Sequence, residues 1–356
     1  MHLEDGRVPE EYRRYTGRKA LVNVAGGVLL LLLLVVSISL GSVSIPLGQV
    51  LRVLFTGGGS RQCQMIVLHI RLPQALAAVA AGAGLSAAGA AMQSILRNPL
   101  GSPFTLGISN AAAFGAAFSV MVLNTGAMQS SGADAISITN PWLTTVAAFI
   151  SCLVAAGVIL AIARIRRASP EVMILTGVAL GSLFTAGTMF LQYFADDVQL
   201  SAIVFWTFGD LARASWRELM IMSSVTAAAS VYFLLSSWSY NAIDAGDETA
   251  GSLGVPVERK RMLGMLAASL VTATIISFVG VIGFVGLVGP HIVRRLLGDD
   301  HRYLIPGSML AGGILLLAAD TVARTVLAPR VLPVAILTAF VGAPVFVGLL
   351  IRGYRR

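Results

Sequence analysis

Apolar runs separated by short polar clusters repeat along the whole chain. They cover approximately residues 20–40, 73–96, 104–124, 142–163, 172–195, 217–238, 263–281, 283–297, 304–323 and 333–351. A bilayer crossing needs about 20 predominantly apolar residues, and nearly all of these runs meet that length. The pattern therefore predicts an all-α polytopic membrane protein of about ten transmembrane helices. Residues 1–19 form a polar N-terminal segment, and residues 20–352 a single transmembrane domain. That polar leader is long for a signal peptide and many further runs follow, so the first run reads as a retained span.

Three loops between the runs exceed a simple connection: 41–70, 196–216 and 239–261. The last reads SYNAIDAGDETAGSLGVPVERKR. Within it, residues 244–253 predict a short amphipathic helix, with Asp244 as N-cap, Asp247 and Glu248 in the first turn, and Gly254 as the C-terminal stop. A short helix between two spans needs a partner surface.

Small residues fall at regular intervals inside the spans. Ala78, Gly82, Ser86, Ala90 and Ser94 recur every four residues, giving one small-residue face that lets another helix approach closely. The run GFVGLVGPHIVRR at 283–295 places Gly283, Gly286 and Gly289 three apart, which predicts backbone contact along one flank. Its His291 reads as a packing or capping residue. Gly181, Thr185, Thr188 and Gln192 share one face of the fifth run. Two readings of that face stand: hydroxyls bonded to their own backbone, or the lining of a pathway.

Composition sharpens this picture. Of 356 residues, 56% are hydrophobic and only 12% charged, about half the charged share of a soluble domain. The net charge of +8 sits in short clusters between runs, as topology signals do, and does not point to nucleic acid. With ten spans and cytoplasmic termini, 18 of the 25 Lys and Arg residues fall on the cytoplasmic side, among them Arg97, Arg164, Arg259 and Arg294. Arg52, Arg61, Arg71, Arg213, Arg217, Arg324 and Arg330 fall outside. Cys63 lies in a polar loop and Cys152 in an apolar run, so no disulfide is expected between them.

Absences narrow the function. Asp320 is the one acidic residue clearly inside a run, and Arg324 follows it four positions later. Ion-coupled carriers usually keep ionisable groups near the midplane. No zinc-protease or serine-hydrolase motif is present. Nor is there a P-loop: the only lysines, Lys19 and Lys260, each follow an arginine. Energy for uphill transport would have to come from another polypeptide.

Four stretches, in order, resemble the FecCD/BtuC-type permeases of ABC importers. They are IRLPQALAAVAAGAGLSAAGAAMQSILRNPLGSPFTLGISNAAAFGAA (70–117), GDETAGSLGV (246–255), GFVGLVGPHIVRRLLGDDHR (283–302) and LLLAADTVARTVLAPRVLPVAILTAFVGAPVFVGLLIR (315–352). The resemblance implies a type II (BtuC-like) importer permease in the cell inner membrane, multi-pass, with both termini cytoplasmic. It implies a second permease subunit, a copy of the same chain in preference to a different one, and two cytoplasmic ATPase subunits that hold ATP and Mg. It also implies a periplasmic or lipid-anchored binding protein. No cofactor is expected on this chain. The cargo class is an iron–siderophore, haem, cobalamin or an oxyanion.

By the same resemblance, residues 244–258 form the region that couples to the ATPases, with Asp244, Asp247, Glu248, Leu253 and Gly254 as its key positions. Arg71 and Arg324 would be solvated rim residues that receive the binding protein, with Arg330 as a substitute where the family's third arginine is Gln74. Gly181, Thr185, Thr188 and Gln192 are the pathway candidates. Gly251, Gly289 and Val331 are further departures from the family pattern. A secondary, ion-coupled carrier or a channel for a similar chelate is the alternative.

Overall fold

The computed structural model describes residues 10–41, 43–128, 136–138, 140–328 and 330–353. Residues 1–9 of the expected N-terminal segment, and Arg355 and Arg356 of the charge pattern, lie outside the described residues. Each of the ten apolar runs becomes a helix. They are α1 (Glu10–Ser39), α4 (Leu72–Ile95), α5 (Ile108–Val122), α6 (Pro141–Ile165), α7 (Pro170–Phe194), α9 (Trp216–Leu235), α12 (Val257–Val279), α13 (Val285–Leu297), α14 (His301–Thr325) and α15 (Val334–Gly353). Between them lie the short α2 (Leu47–Thr56), α3 (Arg61–Gln64), α8 (Asp197–Thr207), α10 (Ser237–Asp244) and α11 (Asp247–Ser252). A two-stranded hairpin, β1 (Gly126–Met128) with β2 (Ile136–Ile138), is the only sheet among the described residues.

Among the described residues, seven of the helices are long and apolar enough to cross a membrane unaided. The first starts ten residues before its apolar run, so residues 10–19 continue α1 instead of forming a separate segment. The eighth run departs furthest from a plain span. Its α13 has 13 residues, about 20 Å at 1.5 Å per residue, against a hydrocarbon core of about 30 Å. The difference is made up by residues 280–284, which run without regular structure from the end of α12. Such backbone is tolerated at membrane depth where protein covers it. Here the Asp210 N–H bonds the Val279 carbonyl at 2.7 Å, and Gly280 lies against Gly209.

One helix organises the rest. α4 packs against α9, α12, α13 and α14, while α5, α6 and α7 form a second group joined to the first through α12. The small-residue face of α4 makes this possible. A Cβ on Gly82 would lie 2.2 Å from the Gly312 carbonyl oxygen of α14, and one on Gly89 would lie 1.8 Å from the Gly286 oxygen of α13. Gly289 faces Ser86, where a Cβ would sit 2.0 Å from the hydroxyl. This glycine is thus matched to a serine across the interface. Lipid offers no hydrophobic drive between helices, so this close packing supplies the association energy.

Adding one methyl tests the contact. Gly82→Ala must push α4 from α14, and overpacking of this kind costs about 1–3 kcal/mol. We expect a lower melting midpoint in detergent, whereas Gly157→Ala on α6, where a Cβ meets nothing within 4 Å, leaves the midpoint unchanged or raises it.

Candidate functional site

Three groups of polar residues interrupt the apolar bundle. The first is a lever at one end. The expected single helix over 244–253 is instead two: Asp244 closes α10 rather than capping a new helix, and Gly246, at φ +118°, breaks the chain before α11. Left-handed backbone of this kind suits glycine, which is why the helix predicted from the pattern divides there. The stop at Gly254 is as expected. Its N–H bonds the Gly251 carbonyl at 3.0 Å, and the Val255 N–H bonds Ala250 at 2.9 Å, a Schellman closure.

Asp247 turns inward. Both its oxygens are bound by Arg261 of α12, at 2.8 and 2.7 Å, and the Arg261 Nε donates to the Ile95 carbonyl at the end of α4, at 3.0 Å. Arg261 is 3% exposed. One guanidinium therefore clasps α11, α12 and α4, in the bidentate geometry that makes such pairs strong. Glu248 and Leu253 turn outward, the leucine 69% exposed, and Gly251 leaves that face open.

A second tie secures α10. His301, fully buried at the start of α14, lies 2.7 Å from the Ser94 hydroxyl of α4 and 2.9 Å from Asn241 Oδ1 of α10. Ser94 also bonds Asp244, at 3.1 Å. Burial raises the Asp244 carboxyl above its ordinary range, against the lowering effect of the Ser94 bond. Asp300 goes the other way. Burial works against its charge, but bonds from Arg302 and Asn241 prevail and bring it to about 2.

The second group lines a cavity of about 270 Å³ between α5, α7 and the end of α8. Thr185, Thr188 and Gln192 border it, together with Ser109 and Asn110 of α5. The first reading of the threonines holds: Thr185 donates to the Gly181 carbonyl at 2.8 Å and Thr188 to Phe184 at 2.9 Å, and both also border the cavity. Gly181 itself does not border it. It is buried against Gly107, and its carbonyl also accepts from Asn110 at 3.2 Å. Among the described residues, no charged side chain lines this space.

The third group lies at the end of the bundle opposite the lever. Arg71 and Arg324 are not solvated rim residues: they are 5% and 7% exposed. Arg71 donates to the Ile38, Ser39 and Val43 carbonyls. Arg324 pairs with Asp320 at 2.9 Å and bonds the Ser37 hydroxyl at 2.8 Å. Gln74 donates to the other Asp320 oxygen at 3.0 Å. The reason is local. The chain leaving α1 folds over both guanidinium groups, offering carbonyls that sequence spacing could not reveal. Of the three expected rim residues, Arg330 is exposed, and Val331 beside it is 57% exposed.

His291 takes a packing role, with Nδ1 2.9 Å from the Leu287 carbonyl and its ring on Phe346. Arg261, Asn110, Asn241 and His301 are the residues that the sequence did not single out.

The FecCD transport family matches residues 29–352. A Methanocaldococcus jannaschii protein assigned as an ABC transporter permease is 50% identical, over 98% of this chain and 99% of its own. The hemin transport permease HmuU of Yersinia pestis is 36% identical, over 90% and 94%. Relatives named as vitamin B12 and Fe(3+)-citrate import permeases, from Klebsiella pneumoniae and Bacillus subtilis, are 34% and 33% identical, over 92% and 94% of this chain and 92% and 95% of their own. A solved inward-facing structure of a metal-chelate type ABC transporter superposes with a TM-score of 0.81 at 28% identity, covering 94% of this chain and 99% of that one. The all-helical permease fold is thus shared.

The clasp predicts an asymmetry. Asp247→Ala strands a buried guanidinium, which costs about 3 kcal/mol, whereas Arg97→Ala removes a half-exposed pair at 3.9 Å and costs below about 1 kcal/mol. Denaturation of the two variants in detergent checks the order.

Proposed function

This chain belongs to the FecCD transport family, and from that premise we propose that it is the membrane-spanning permease of an ATP-driven importer for a metal chelate. The observation that carries the reading is the lever: a short helix with an outward face of Glu248 and Leu253, clasped from behind by buried Arg261. A partner ATPase bearing on that face would displace α11, and the clasp would pass the displacement to α4 and α12. ATP and Mg belong to that partner.

Alternating access then moves the wall of the α5–α7 cavity, with Thr185, Thr188 and Gln192 facing the cargo and Gly181 holding α7 against α5. The uncharged lining suits a bulky chelate, because a charged site would hold the cargo and slow its release. Relatives named for hemin, vitamin B12 and Fe(3+)-citrate support the cargo class. A binding protein would dock at the opposite end through exposed Arg330, where rim pairs favour on-rate more than affinity. Arg71 and Arg324 would act beneath it by holding the chain that leaves α1. A second copy of the chain completes the pathway in the inner membrane, and both termini face the cytoplasm. An ion-coupled carrier fits less well, since buried Asp320 is already paired with Arg324 and Gln74.

Reconstitution with the partner ATPase and binding protein tests the reading. Uptake into vesicles should require ATP and be abolished by vanadate, and an ion gradient alone driving uptake would reject it. Within that assay Leu253→Asp should abolish uptake while the ATPase subunits keep their basal hydrolysis.

A further inference from the structure

A larger cavity, about 340 Å³, lies on the other side of α8 from the pathway candidates. It is framed by the N-terminal ends of α6 and α9, the flank of α8 and the last turn of α12. By liquid volume the space corresponds to on the order of ten water molecules. Trp142, Trp206 and Phe278 form aromatic walls, and Arg213 and Glu218 supply charge.

Arg213 is the anomaly. Its guanidinium donates to two backbone carbonyls, those of Phe205 at 3.0 Å and Trp206 at 3.4 Å. A guanidinium carries five N–H donors. Among the described residues no ion pair includes Arg213. Burial pushes it below its ordinary value, with Asp210 opposing. Asp210 acts on this cation only through space, and a cation held in a mostly apolar cavity without an ion pair is costly.

The surroundings favour an anion further. Two helix N-termini, those of α6 and α9, border the space with their positive dipole ends. Arg217 lies over the Trp142 ring at 4.3 Å, close to the mouth. The one carboxylate in the lining, Glu218, is occupied in a capping box with Ser215. Outside, the flank is apolar and exposed: Phe205 at 60%, Val146 at 46% and Met220 at 61%. In a bilayer such a flank is covered by acyl chains, and tryptophans mark the interfacial depth.

We propose that this cavity binds the phosphate headgroup of a membrane phospholipid, with Arg213 as the phosphate's partner and the acyl chains lying along the exposed flank of α6 and α9. The two parts of the site require both parts of the lipid. Free phosphate satisfies the arginine but not the flank, and a neutral diacylglycerol does the reverse.

The test uses the complete chain, stripped of lipid in detergent, with phosphatidylglycerol, diacylglycerol of the same acyl chains, and sodium phosphate as probes. Bound lipid is counted by native mass spectrometry, and the melting midpoint is read in parallel. Phosphatidylglycerol should give one retained adduct and a raised midpoint, and the other two probes neither. In Arg213→Gln the retained adduct and the rise should both be lost. An equal rise with diacylglycerol or with sodium phosphate overturns the proposal, as does an adduct retained equally by Arg213→Gln. Should that variant fail to fold, the comparison of the three probes on the unaltered chain still decides.

Discussion

The structure depends on backbone meeting backbone along α4. Where Gly82 faces Gly312 and Gly89 faces Gly286, a carbonyl occupies the space a side chain would need. Interior helices of a membrane protein cannot rely on water to drive them together, so contact area and fit decide the arrangement. A helix gripped this way on several sides behaves as a rigid spine. Its most apolar stretch is 83% buried, against 11% for α7 and for α1.

Rigidity at the centre gives meaning to what is attached at the end. The last turn of α4 presents two groups to the lever: the Ile95 carbonyl, which accepts from Arg261, and the Ser94 hydroxyl, which donates to Asp244 and lies beside His301. Both ties are buried, where hydrogen bonds and charge pairs are less screened than at a surface. The lever is therefore part of the α4 body and not a tethered loop. α7, by contrast, meets the rest mainly through α5 and α6, and its Gly177 and Gly181 rest on Leu106 and Gly107. In our reading, motion during transport divides the molecule along that boundary.

How much of this was legible in the sequence varies with the physics involved. The ten apolar runs each gave a helix, because length and hydropathy decide the matter in lipid, and the four-residue spacing on α4 gave the face that packs. The Gly254 stop was legible because backbone conformation there is local. What escaped were partnerships across long separations. Nothing near Asp247 indicates that Arg261 reaches it while bonding residue 95, and nothing in the run around Arg71 indicates that Ile38, Ser39 and Val43 accept its bonds. The division of the lever at Gly246 was missed because the acidic pattern on either side suits one helix as well as two. The cavity face on α7 was visible as a polar stripe, but its partner Asn110 carries no periodic signal.

The central claim is that the lever and α4 move as one body against α7. Double electron–electron resonance can test it in the assembled transporter, with Cys63 and Cys152 replaced and spin labels placed in pairs. One pair joins Thr249 on α11 to Ile70, which lies on the continuous helix leading into α4; the other joins Thr249 to Met189 on α7. All three sites carry exposed side chains. Across the ATP-bound and nucleotide-free states, the first distance should hold constant while the second changes. A first distance that shifts as far as the second would contradict the account.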